Sequence, residues 1–212
     1  MEDIFERRLI GVLIIDRVED AVPLADALLA GGLNTFEVTL RTPDAAKCIE
    51  AIRKARPQVC LGAGTVLDPT LLSRALAAGA QFAIAPSLNE DVARAARRLG
   101  IPYFPGAATA REIELSLALG CSVVKLFPAG LVGGVAMVKA LASTYSHTGL
   151  KLIPTGSLNQ TQLVDYLAQP IVAAVGGSWM AERKLIQAKD WNKITALTTE
   201  AMNIARQANK AT

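Results

Sequence analysis

Short aliphatic runs recur along this chain at Leu9–Ile15, Thr35–Leu40, Val59–Leu61, Gln81–Ala85, Tyr103–Phe104, Ser122–Phe127, Lys151–Ile153 and Val172–Val175. They are short, rich in β-branched residues and bounded by Gly or Pro, which predicts buried strands. Between them the apolar positions repeat at helical spacing, over Glu19–Ala30, Pro43–Ala55, Pro69–Ala78, Glu90–Leu99, Ala110–Leu119, Val135–Ser143, Gln160–Leu167 and Trp191–Gln207. Eight strands each followed by a helix predict an α/β fold, a TIM (β/α)8 barrel of compact size. Gly31-Gly32, Gly79, Gly100 and Gly120 stand where helix C-caps want positive φ, and Asn89 and Asn159 stand where N-caps belong. A doubly wound open sheet is the rival architecture, but it normally carries a Gly-rich turn after its first strand, and Gly11-Val-Leu-Ile-Ile-Asp16 has none. No linker or low-complexity stretch interrupts the pattern. Residues 1–212 are therefore expected to form one barrel domain, with the first eight residues a short helix capping one end.

Composition narrows the function classes. The 212 residues are 51% hydrophobic but only 5% aromatic, so the core must be aliphatic. A net charge of +3 is mild, and the basic residues are scattered or, as at Arg94–Arg98, on a solvated helix face. That is not the basic stripe of a nucleic-acid binder. No apolar run approaches the ~18 residues of a membrane span. The N-terminal segment is acidic first and lacks an apolar signal core, and Cys48, Cys60 and Cys121 are odd in number and far apart. Reduced thiols in the cytoplasm are expected.

Chemistry should collect at the C-terminal ends of barrel strands. Lys125 lies inside Cys121-Ser-Val-Val-Lys-Leu-Phe-Pro-Ala129. A lysine in a buried strand loses its water, and desolvation disfavours the charged ammonium and leaves a nucleophilic amine; the bland alternative is a strand-end lysine that snorkels to solvent. In Phe36-Glu-Val-Thr-Leu-Arg41, alternation puts Glu37, Thr39 and Arg41 on one face and the apolar residues on the other. Either Glu37 and Arg41 form a structural ion pair, or Glu37 is a general acid/base and Arg41 an anion clamp. Gly62-Ala-Gly-Thr65 reads as a tight turn or as a close approach of backbone to ligand, with the Thr65 hydroxyl available, and Pro86 as turn punctuation or a pocket wall. Gly-rich turns after strands seven and eight, Pro154-Thr-Gly-Ser157 and Val175-Gly-Gly-Ser178, suit an anion cradle built from the N–H groups of Gly156, Gly176, Gly177 and Ser178. His147, the one histidine, falls in a loop, which excludes histidine metal clusters and a Ser–His–Asp triad. A lysine with a carboxylate suits Schiff-base work on a 2-oxo acid.

Glu37-Val-Thr-Leu-Arg-Thr-Pro43, Gly62-Ala-Gly-Thr-Val66, Pro105-Gly106, Val124-Lys-Leu-Phe-Pro-Ala129, Pro154-Thr-Gly156 and Gly176-Gly-Ser178 together resemble the 2-keto-3-deoxy-6-phosphogluconate (KDPG) aldolases, which also cleave 4-hydroxy-2-oxoglutarate. The resemblance runs from about Gly11 to about Ile194. It implies a metal-free, cofactor-free class I aldolase on a TIM barrel, a homotrimer taking a small 2-oxo acid. It places the Schiff-base lysine at Lys125, the general acid/base at Glu37 and the pyruvate-carboxylate contacts at Arg41 and Thr65. Pro86 and Phe127 would shape the pocket, with phosphate contacts at Thr155, Gly156, Gly176, Gly177 and Ser178. Two positions depart from the family pattern: Ser157 stands where a second glycine is usual, and Ala110 where a proline is usual. If position 157 needs positive φ, serine is strained there, and its side chain either narrows the phosphate site or adds a hydroxyl donor. A phosphogalactonate-type aldolase, an epimerase-like phosphate-binding barrel and a non-catalytic sugar-acid-phosphate binder are the rivals.

Overall fold

The computed structural model describes residues 2–210; Met1, Ala211 and Thr212 lie outside the described residues. The strands are β1 Leu9–Leu13, β2 Thr35–Thr39, β3 Cys60–Gly64, β4 Phe82–Ile84, β5 in two pieces (Tyr103–Phe104 and Gly106–Ala107, parted by Pro105), β6 Val123–Leu126, β7 Lys151–Leu152 and β8 Val175–Gly177. Every ladder is parallel, running β5-β4-β3-β2-β1-β8 on one side and β5-β6-β7 on the other. Bridges Leu152↔Val172 and Thr155↔Gly176 join the β7 and β8 segments, so the ring closes. The rival open sheet leaves two free edges and is excluded by this closure.

The helices are α1 Glu2–Phe5, α2 Val18–Ala30, α3 Ala45–Ala55, α4 Pro69–Ala77, α5 Glu90–Leu99, α6 Ala110–Ala118, α7 Gly134–Tyr145, α8 Leu163–Leu167, α9 Arg183–Gln187 and α10 Trp191–Lys210. Their starts follow from local chemistry. The Asn89 side chain accepts from the Asp91 and Val92 N–H groups, and Asp68 accepts from Leu71 N–H ahead of Pro69. Thr109 and Glu112 form a capping box, so α6 begins at Ala110 without the proline usual there. Asn159 caps a 3-10 turn, Gln160–Gln162, that delays α8 to Leu163. Gly32, Gly79, Gly100 and Gly120 have positive φ as the C-cap pattern predicts, whereas Gly31 is right-handed at φ −76°.

Strand parity separates two packing layers. Phe36 and Val38 of β2 and Leu61 and Ala63 of β3 point outward, onto a core shared with Leu24, Leu28, Ile49 and Ile52 of α2 and α3. Inside the barrel, Ile10, Phe82, Ile84, Phe104, Val123, Ile153 and Ala174 form an apolar layer. Helix α1 caps it: Ile4 and Phe5 pack against it, and the Phe5 and Phe104 ring centroids are 5.4 Å apart.

Two strands are displaced from the sequence reading. β3 continues to Gly64 and β8 is Val175–Gly177, so Gly62, Gly64, Gly176 and Gly177 are strand residues, not turns. Their role is steric. A Cβ on Gly62 would overlap the Phe82 ring, one on Gly64 the Glu37 carboxylate, one on Gly176 the Thr155 hydroxyl, and one on Gly177 the Trp179 ring. We expect Gly62→Ala to cost about 2 kcal/mol of stability, as overpacking of a closed core does; a urea midpoint equal to that of the parent would refute this account of β3.

Candidate active site

Lys125 and Glu37 point into the barrel from β6 and β2. Glu37 is 1% exposed and Lys125 6%. Lys125 Nζ donates to Glu37 Oε1 at 3.5 Å. The ion partner of Glu37 is therefore Lys125, 88 residues away, and not Arg41 as local spacing allowed. Lys125 does not snorkel; its ammonium stays inside and sits 5.2 Å from the Phe127 ring centroid. Burial pushes the Glu37 carboxyl above the ordinary glutamate range, opposed by the nearby Lys125 charge and hydrogen bond and, more weakly, by Arg41. Its second oxygen, Oε2, is buried with no hydrogen-bond partner. Such an atom needs explaining, because a buried acceptor is nearly always satisfied.

Above this pair opens a cavity of about 390 Å3. Lys125, Arg41, Thr65, Pro86, Phe127, Thr155, Gly156, Gly176, Gly177 and Ser178 all line it, and Glu37 lies beneath. The structure thus gathers these residues around one cavity, whereas His147 lies apart from it. Val12, Ile14, Thr39, Ser157 and Leu158 complete the wall. Val12 and Ile14 were legible as inward positions by alternation from Ile10, and Thr39 by alternation from Glu37.

Individual positions follow from their elements. Thr39 Oγ1 donates to the Leu13 carbonyl at 2.9 Å and accepts from Arg41 Nε at 3.2 Å, which holds the exposed Arg41 guanidinium at the rim. Thr65 closes β3 at φ +58°, a strained conformation for a β-branched residue. Pro86 lies in the wall beside β5, its carbonyl against the Cα of Gly106. Gly156 has φ +90° and lies under Phe127, whose ring a Cβ there would meet at 2.7 Å.

The donors at the far rim differ from those the turns suggested. Gly176 N–H is spent on the Pro154 carbonyl at 2.9 Å, because β8 extends through it. The Gly156 N–H faces the Gly176 carbonyl in the Thr155↔Gly176 bridge, whereas Ser157 and Ser178 have N–H groups with no acceptor among the described residues. After β8 the chain makes a 3-10 turn, Trp179–Ala181, and the five-residue α9.

Among the described residues no three His, Cys, Asp or Glu side chains cluster as a metal site, and no helix is long and apolar enough to cross a membrane. His147 is exposed in a 3-10 turn on the outside of the barrel.

The family profile of the KDPG and KHG aldolases matches residues 1–197. The 2-dehydro-3-deoxy-phosphogluconate aldolase of Treponema pallidum (strain Nichols) is 48% identical over 197 residues, 93% of this chain and 93% of its own. The KHG/KDPG aldolase of Escherichia coli (strain K12) is 41% identical over 197 residues, 93% and 92% of the two chains. Among solved structures, KDPG aldolase from Legionella pneumophila, with pyruvate captured at low pH as a covalent carbinolamine intermediate, has a TM-score of 0.89 at 40% identity and covers 92% of this chain and 95% of that one.

The buried pair makes a pH-dependent prediction. In Lys125→Met the Glu37 carboxylate loses its close counter-charge, and burial, opposed only weakly by Arg41, raises its pKa further. A carboxyl whose folded pKa is raised contributes stability that is full below the unfolded value, about 4.3, and is lost as pH rises through the folded value. We expect Lys125→Met to be about 3–5 kcal/mol less stable than the parent at neutral pH and to recover much of that on acidification toward pH 5. Denaturant midpoints across pH check it; a deficit that does not shrink with acid would show that Glu37 is not the group left unpaired.

Proposed function

This chain belongs to the KDPG and KHG aldolase family, and from that membership we propose how its pocket works. The protein is a lyase, a class I aldolase. Its reaction is the reversible cleavage of KDPG to pyruvate and glyceraldehyde 3-phosphate, and of 4-hydroxy-2-oxoglutarate to pyruvate and glyoxylate. The observation that carries this reading is the Lys125–Glu37 contact of 3.5 Å at the floor of a cavity, with Glu37 Oε2 unpartnered.

Lys125 is the nucleophile in this reading. Attack needs the free amine, and transfer of a proton from Nζ to Oε1 removes both charges from a dry site in one step. Nζ then adds to the C2 carbonyl of the substrate to give a carbinolamine. Glu37 returns its proton to the carbinolamine hydroxyl, and loss of water leaves Glu37 as the carboxylate and a protonated Schiff base conjugate to the C3–C4 bond. Glu37, directly or through a water at Oε2, takes the C4 hydroxyl proton. The C3–C4 bond breaks, its electron pair moves into the iminium to form an enamine, and the aldehyde leaves. Protonation of the enamine at C3 and hydrolysis of the iminium release pyruvate and return Lys125. The raised pKa of Glu37 suits a group that both takes and returns protons.

Arg41, steadied by Thr39, holds the 2-oxo acid carboxylate with the Thr65 hydroxyl. Pro86 and Phe127 flank the reacting carbons. The segment Thr155–Gly156 and Gly176–Ser178 receive the distal group of the substrate, Gly156 and Gly176 as a wall free of Cβ and Ser178 as an N–H donor. The chain acts as a single domain in the cytoplasm. It assembles as a homotrimer, a state supported by the family resemblance and by apolar side chains left in solvent, Leu131 at 74% exposure foremost.

Incubation with pyruvate and borohydride should fix one adduct, mapped by mass spectrometry to Lys125; an unmodified Lys125 would sink the mechanism. Glu37→Gln should still trap pyruvate while its kcat falls about 10^2–10^4-fold, the usual contribution of a general acid/base. Parental turnover in that variant would remove Glu37 from its role. Light scattering should give about three times the 22.4 kDa chain mass; a monomer would refute the assembly.

A further inference from the structure

Ser157 lines the cavity at φ +55°, in the region where only glycine is unstrained, and directly follows Gly156 at φ +90°. The turn is held from both sides. Ala129 N–H donates to the Thr155 carbonyl at 2.8 Å, and Gly130 N–H donates to the Gly156 carbonyl at 3.0 Å. Gly130 lies so close to the Ser157 carbonyl that a Cβ there would overlap it. The Ser157 backbone is thereby fixed, and with it the direction in which its side chain leaves. Neither its hydroxyl nor its N–H finds a partner among the described residues. A strained residue persists where its surroundings over-determine it, and such residues gather at ligand sites. Here the strain holds a hydroxyl and an N–H, both unspent, at the wall of the cavity.

The chemistry of the neighbours defines the ligand. The Ser178 N–H is also unspent, and the Ser178 side chain lines the same wall without a protein partner. These groups are donors, and the only basic side chains lining the cavity, Lys125 and Arg41, come from β6 and the rim of β2. A cluster of neutral donors fits an anion with several acceptor oxygens. We propose that Ser157 is a specificity-determining residue whose Oγ–H donates to a phosphate monoester at the distal end of the substrate. It adds a side-chain hydrogen bond to the N–H groups of Ser157 and Ser178 and biases the enzyme toward phosphorylated 2-oxo acids. This inference rests on the aldolase reading above and deepens it.

Two variants separate hydroxyl from backbone. Ser157→Ala keeps a Cβ at positive φ and removes the hydroxyl; Ser157→Gly removes the hydroxyl and the strain. In both, the ratio of kcat/KM on KDPG to kcat/KM on 4-hydroxy-2-oxoglutarate is expected to fall about tenfold, the effect of one hydrogen bond to a charged group. A second measurement does not depend on lyase activity: the rise in melting temperature on titrating inorganic phosphate. Its half-point should move to about tenfold higher phosphate in both variants. Ser157→Gly should melt no lower than the parent, which shows that the substitution leaves the fold intact. The proposal is overturned if Ser157→Ala matches the parent in the ratio, or if the ratio falls while the phosphate half-point stays in place. Failure of the aldolase reading looks different, since the parent would then trap no pyruvate at Lys125 while still responding to phosphate.

Discussion

The 3.5 Å contact between Lys125 and Glu37 is what the rest of this structure must accommodate. Two charged side chains from strands on different sides of the ring meet inside a core in which nearly every other large side chain is apolar. Removing either ion from water costs several kcal/mol, and their mutual attraction at this distance only partly offsets that. A pair of aliphatic residues of similar volume would serve stability as well or better. The pair is therefore not explained by folding. In the proposed mechanism it serves a reaction that needs an amine and a proton acceptor within reach of each other in a dry place. The glycines serve the same requirement. Gly64 leaves the space that the Glu37 carboxylate occupies, and Gly62 admits the Phe82 ring beneath it.

That dryness has a structural source. Ile10, Phe82, Phe104, Val123 and Ile153 fill the lower interior, and Ile4 and Phe5 of α1 close it from below. The cavity that reaches Lys125 opens at the C-terminal rim. At the rim the constraints are of another kind. Thr65 and Ser157 both hold positive φ, and Thr39 spends both functions of its hydroxyl, one on the Leu13 carbonyl and one on Arg41. Positional precision at the mouth is thus obtained from backbone strain and a hydroxyl relay, whereas the floor is set by close packing.

Much of this was legible in the sequence, and the parts that were not share a cause. Alternation along Phe36–Arg41 put Glu37, Thr39 and Arg41 on the inner face, and the apolar run around Lys125 marked a buried amine. Local spacing could not name the partner of Glu37. Arg41, four residues on, was the visible candidate, and only closure of the ring delivers Lys125 from 88 residues away. The ends of β3 and β8 were misplaced because glycine was read for its backbone freedom. Gly62, Gly64, Gly176 and Gly177 are strand residues required for lack of a Cβ, a property set by neighbours distant in sequence. For the same reason Gly176 was expected to offer its N–H to an anion, which the Pro154 carbonyl already occupies.

The two ends of the pocket hold a substrate by different physics, and the proposed mechanism gives that difference a use. One end offers the Arg41 guanidinium and, in that mechanism, Lys125 as the covalent link. The other offers neutral N–H and hydroxyl groups. Charge-assisted bonds from arginine to a carboxylate are roughly twice as strong as neutral ones. Cleavage of the C3–C4 bond separates the two ends into two molecules. The fragment on the Lys125 side must stay until the enamine is protonated and hydrolysed, and it keeps both the covalent link and the cation. The aldehyde fragment must leave first, and it is held only by uncharged donors, which can be exchanged for water without stranding a buried cation. An added arginine at the far rim would tighten the substrate and the departing aldehyde alike, and binding that is uniform across the reaction does not speed the chemical step. A serine hydroxyl at position 157 adds discrimination there while leaving that order of release intact.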